Sequence, residues 1–154
     1  MSIMDSSVIE LLRDQERFED EVAKRLSSLL DRVDNHVVKL LLHTLVLDSM
    51  KHASIIRALL DLVQGTSLSE PDKRLLREEL SRHISEEEEM LVKAKELAGK
   101  VKDENVKAVL EQITLEEERH HNGLRQLLSV LDKVESIGDE EWWEFMNEWA
   151  NFST

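Results

Sequence analysis

The chain has 154 residues and no cysteine, and its 33 acidic side chains outnumber 20 basic ones, a formal charge of −13 at pH 7. Without cysteine there is no disulfide scaffold, cysteine-ligated zinc, iron–sulfur cluster or thiol catalysis, so any metal must be held by carboxylate and imidazole. The charge repels phosphate backbones and anionic lipid, which argues against nucleic acid and membrane surfaces as partners.

This length suits one domain with a core of its own. Four glycines, one proline and 34% charged residues are the composition of long helices, and strand-like alternation is absent. The start, MSIMDSSVIELL, lacks a basic stretch followed by an apolar run, and no segment approaches the roughly 18 apolar residues of a membrane span. A cytoplasmic location is expected.

Five helices are predicted, at about 5–33, 36–63, 70–98, 103–134 and 139–150. Asp5, Ser6 or Ser7 can cap the first, in which Leu12, Phe18, Glu19, Val22, Ala23, Leu26, Leu29, Leu30 and Val33 recur at helical spacing. Asp34-Asn35 breaks the chain, and the second helix carries Leu41, Leu45, His52, Ile56 and Leu59 on one stripe, so the two form a hairpin. Ser69-Glu70-Pro71-Asp72 reads as a cap with an acidic partner three residues on and proline in the first turn. The third helix passes Leu76, Leu80, His83, Ile84, Glu87, Met90, Leu91 and Ala94 to a stop at Gly99. Asp103 caps the fourth, whose stripe is Val106, Leu110, Ile113, Glu117, His120, Leu124, Leu127 and Leu131. Trp142, Trp143, Phe145, Met146, Trp149 and Phe152 crowd the last segment, predicted to be a docked fifth helix or a subunit contact. The predicted fold is therefore all-α, an antiparallel four-helix bundle with a short C-terminal helix.

Each long helix places an ionisable residue where its apolar stripe predicts core: Glu19 or Glu16, His52 beside Asp48 and Ser49, His83 with Glu87, and Glu117 with His120. Burying one such group alone costs several kcal/mol, so four helices doing so together require a shared metal or a mutual acid–histidine network. Counting from the helix ends at about 1.5 Å per residue puts Glu19 near residue 50, His52 level with His83, and Glu87 near residues 114 to 118. Carboxylates with imidazoles suit a hard or borderline ion, iron or manganese first, as one or two ions. Of the run Glu86 to Glu89 only Glu87 falls on the stripe, and His121, His36 and His43 read as surface residues.

Glu117-Glu118-Arg119-His120 is a Glu-x-x-His on a helix, within the string LEEERHH, and it resembles the last helix of ferritin-like, rubrerythrin-type di-iron bundles. The resemblance implies one Glu from helices one and three and a Glu-x-x-His from helices two and four. Carried over, it marks Glu19, Glu87, Glu117, His120 and His52 as metal ligands, and the spacing adds His83. Helix two departs from the pattern, since LDSMKH has Ser49 in the glutamate position, with Asp48 as the possible substitute. The connection from Val63 to Asp72 departs as well, spanning at most about 30 Å, too short for the family's crossover. It leaves an up-down-up-down bundle, a later start to helix three, or hairpins exchanged between two subunits.

The resemblance implies an oxidoreductase of peroxidase or ferroxidase type, handling iron, oxygen or peroxide, with an external electron donor because no cysteine-bound electron domain is present. A homodimer is expected. The rival expectation is a non-enzymatic interaction module in which the same Glu and His residues form a buried network without metal.

Overall fold

The fold, a computed structural model, is described for residues 4–65, 68–133 and 139–152, the side chains of 132, 133, 139 and 149–152 excepted. It is all-helical: α1 (Ser6–Leu30), α2 (His36–Gln64), α3 (Glu70–Lys100), α4 (Glu104–Lys133) and α5 (Asp139–Phe152), with no strand among the described residues. None of these helices is long and apolar enough to cross a membrane.

Caps set the helix starts. Each leading turn has backbone N–H groups with no partner inside the helix, and a short polar side chain in extended conformation accepts from them. Asp5 accepts from the Ser7 N–H, Asn35 from Val37 and Val38, Ser69 from Asp72, and Asp103 from Asn105 and Val106. Pro71 in the first turn of α3 loses nothing by lacking an N–H there.

The ends were less legible. α1 stops at Leu30, three residues short of Val33, because Asp31 and Asp34 stand at the negative end of the helix dipole. Gly99 is not a stop: α3 continues through it to Lys100, and the chain turns extended at Val101. The glycine that ends a helix is Gly65, whose φ of 85° a side chain would resist. Val134, Thr66, Ser67 and Gly138 lie outside the described residues, as do the side chains of Trp149 and Phe152. Trp142, Trp143, Phe145 and Met146 are half-buried in α5, which docks against α4.

The chain divides into two compact units, Met1–Thr66 and Ser67–Thr154. The first is the hairpin of α1 and α2; the second is the hairpin of α3 and α4 with α5. Partner numbers rise on one helix as they fall on the other, so each hairpin runs antiparallel: Glu16 meets Arg57 where Glu19 meets His52, and Glu88 meets Arg125 where Lys95 meets Glu118.

In the first hairpin the seam is made of Ala23 on α1 and Val46, Ser49, Ala53, Ile56 and Leu60 on α2, all buried. Small side chains at its centre, with Ala53 fully covered, let the two backbones approach closely. The sequence-derived stripe of α2 is therefore displaced: Ile56 is buried, but Leu41 and Leu45 remain 63% and 52% exposed. They lie eleven and seven residues before His52, on the flank that its pairing with Glu19 marks. The opposite flank is charged, Arg57 bridging Glu16 and Asp20 at 2.6 Å each.

The second hairpin repeats this division. One flank is polar, with Glu88–Arg125 and Lys95–Glu118 both at 3.0 Å. Its other flank presents His83 with exposed Met90 and Leu97 at seven-residue steps on α3, and His120 with exposed Ile113 and Val106 likewise on α4. Two helices bury one seam; a stripe broad enough for a larger bundle stays open on one side.

Asn35 satisfies two α2 donors that otherwise face no partner, so Asn35→Ala should lower stability by about 1 kcal/mol, read as a lower urea midpoint at unchanged m-value. An unchanged midpoint would show that solvent serves these donors equally well.

Candidate metal centre

Glu87 is the most deeply placed carboxylate of the second hairpin, its side chain 7% exposed, while Glu86, Glu88 and Glu89 beside it are all more than half exposed. Helix geometry selects it: Ile84, Leu91 and Ala94 share its stripe and face α4. His83, one turn earlier on α3, brings Nε2 to 3.1 Å from Glu87 Oε1 and Nδ1 to 3.4 Å from Glu86 Oε2.

Across the seam stand Glu117 and, one turn on, His120. Glu87, Glu117 and His120 each offer a ligand atom, and these atoms lie within 4.8 Å of one another. Glu87 is buried, Glu117 half-buried, and His120 stands on the open apolar flank. The two carboxyl groups lie close enough that a hydrogen bond between them requires one to carry a proton. That bond, then burial and the charge of Glu87, push the Glu117 carboxyl up to about 7, with His83 acting in the opposite sense. Oε2 of Glu87 and Oε2 of Glu117 are buried and have no hydrogen-bond donor among the described residues.

Two carboxylates and the His120 imidazole offer hard and borderline donors that suit iron or manganese, and two unserved buried oxygens are what a cation would engage. The residues present therefore fit such an ion.

The six expected ligands are distributed as follows. Glu87, Glu117 and His120 come together within the second hairpin, and His83 reaches Glu87 but not the whole group. Glu19 and His52 pair within the first, His52 Nδ1 at 3.4 Å from Glu19 Oε1, where Gln15 Nε2 also donates at 3.3 Å. Glu16, the competing residue, belongs to Arg57 instead. Asp48 is exposed, while Ser49 occupies the buried seam position.

His121 corrects its expected surface placement. Its side chain is only 12% exposed and sits on the polar flank, Nε2 3.7 Å from Glu88 Oε1. The stripe argument counted only the face shared with His120; α3 covers a wider arc of α4, and His121 falls within it. Arg57 and Arg125, which hold the polar flanks, were missed because a surface arginine on a charged helix carries no positional signal of its own.

The chain matches no family model, no curated protein and no solved structure.

Because Glu117 holds its proton more tightly folded than unfolded, the folded state binds the extra proton between about pH 4.5 and about 7. Its contribution is thus present at the acid end of that window and lost as pH rises through it. Metal-free protein should lose stability from pH 5.5 to pH 8 relative to Glu117→Gln, compared by urea midpoints. Parallel pH profiles for the two proteins would remove the shared-proton description.

Proposed function

We propose that this chain is a ferritin-like metal-binding protein that holds iron or manganese and acts on oxygen or peroxide. The observation that carries the reading is the Glu87, Glu117 and His120 group, whose buried Oε2 atoms lack donors. The Glu-x-x-His resemblance supplies the chemical class, and the donor set is compatible with it.

Glu87 and Glu117 would supply anionic oxygens, His120 an imidazole, and His83 a fourth donor or a positioning hydrogen bond through Glu87. An iron or manganese ion bound there would supply electrons for reduction of oxygen or peroxide, taken in turn from an external donor. For a cation to bind, the proton between Glu87 and Glu117 must leave, so binding and proton release are coupled. Met90, Leu97, Val106 and Ile113 on the same flank would keep solvent from the centre once covered.

Covering that flank is the reason for proposing a ferritin-like four-helix bundle and a homodimer: apolar stripes on both hairpins favour burial over exposure. The rival reading, an interaction module with an acid–histidine network, draws on the close contacts of Glu87 with His83 and Glu117.

Plasma emission on untagged protein purified without chelator tests the proposal. Iron or manganese near stoichiometric amounts is expected, reduced at least tenfold in Glu117→Ala and His120→Ala. Absence of metal even after anaerobic ferrous loading would leave the rival reading in its place.

A further inference from the structure

Several contact-making residues of the two hairpins correspond at a separation of 68 positions. Asn35, which caps α2, corresponds to Asp103, which caps α4, and each accepts from the N–H groups two and three residues on. Asp20 and Arg57 correspond to Glu88 and Arg125, and each pair forms the same ion pair on the polar flank. Glu19 and His52 correspond to Glu87 and His120, the acid and the imidazole of the opposite flank. Gln15, which donates to Glu19, takes the place of His83, which contacts Glu87.

The cap of the second helix, the flank ion pair and the acid–histidine pair thus recur at one offset in sequence and contacts, whereas Asp5 and Ser69, which cap the first helix of each hairpin, do not. Independent selection of each would not fix a common spacing. Departures from this shared plan include Ala53 where the second hairpin has His121 and, among the acid donors, Ser49 where it has Glu117. Serine there is buried in the seam and brings no charge to Glu19 and His52, so the first hairpin offers two donors where the second offers three anionic or imidazole donors plus His83.

We propose that the chain is a duplicated metal-binding hairpin whose first copy lost its ion-binding capacity at Ser49, leaving one ion per chain in the second copy. This rests on the metal reading above and adds to it the number of ions, their location and the residue responsible. Glu87 Oε2, buried and without a donor, marks the retained half. In the first hairpin Glu19 Oε1 is instead shared by His52 and the Gln15 amide.

Equilibrium dialysis of the full chain against Mn(II), with metal and protein quantified, is the test. One Mn(II) per chain is expected for the wild type, two for Ser49→Glu, and none for Glu117→Ser with its helical circular dichroism retained. No Mn(II) or Fe(II) in the wild type overturns the metal reading itself. One ion in both the wild type and a folded Ser49→Glu overturns the duplication while leaving that reading intact, and two ions in the wild type do the same. Should Ser49→Glu fail to fold, Glu19→Ala decides: retention of the single ion supports its assignment to the second hairpin, and its loss overturns it.

Discussion

Two carboxyl groups pressed together in a helix seam cannot both stay ionised without a positive partner, and the second hairpin is organised around that constraint. Glu87 and Glu117 meet where burial raises the cost of charge, and the proton they share is the least demanding answer available to the chain alone. A divalent cation held by Glu87, Glu117 and His120 would answer the same constraint, and the unserved Oε2 atoms would be open to it. His83 and His120 stand at the two ends of this pair and suit either state: neutral imidazoles can coordinate, and protonated ones can neutralise.

The location of the group matters as much as its composition. In both hairpins the acid–histidine pair lies on the flank that also carries exposed aliphatic side chains, whereas the opposite flank is held by an arginine–carboxylate bridge. An arginine fork loses little by remaining in water, and a charged flank resists being covered. An apolar flank gains by being covered, and covering it would lower the dielectric around Glu87, Glu117 and His120. A partner covering that side would strengthen any metal–carboxylate interaction there by desolvation.

How much of this was legible follows from which physical signals are local. Helix starts were readable at Asp5, Ser69 and Asp103 because a cap is a short-range bond between a side chain and the next turn. Glu87 could be separated from its three neighbours, and Glu19 could be placed near residue 50, two short of its partner His52, because 3.6-residue periodicity and a tight turn constrain register. The seam of α2 could not be read. Its stripe is apolar over a wide arc, and only the partner decides that Val46, Ala53 and Leu60 are covered while Leu41 and Leu45 are not. His121 escaped for the same reason. Which histidine of an adjacent pair points into a seam depends on the rotation of the whole helix, and one sequence window does not contain it.

The correspondence at 68 residues was hidden for a different reason. Glu19, His52 and Arg57 recur unchanged, Asp20 and Asn35 recur only as Glu88 and Asp103, and between these positions identity is sparse. Contacts restore what substitution obscures, because an ion pair must conserve charge and reach even when it exchanges residues. Asp20–Arg57 and Glu88–Arg125 differ by one methylene yet hold the same flank. Ser49 is the informative exception. A small residue in a seam lined by Ala23 and Ala53 allows closer helix packing than a glutamate would, so loss of a ligand in the first hairpin coincides with tighter burial. The halves thus differ in what their seams hold: the first packs small side chains, and the second bears the cost of a buried carboxyl pair, which a bound cation would offset.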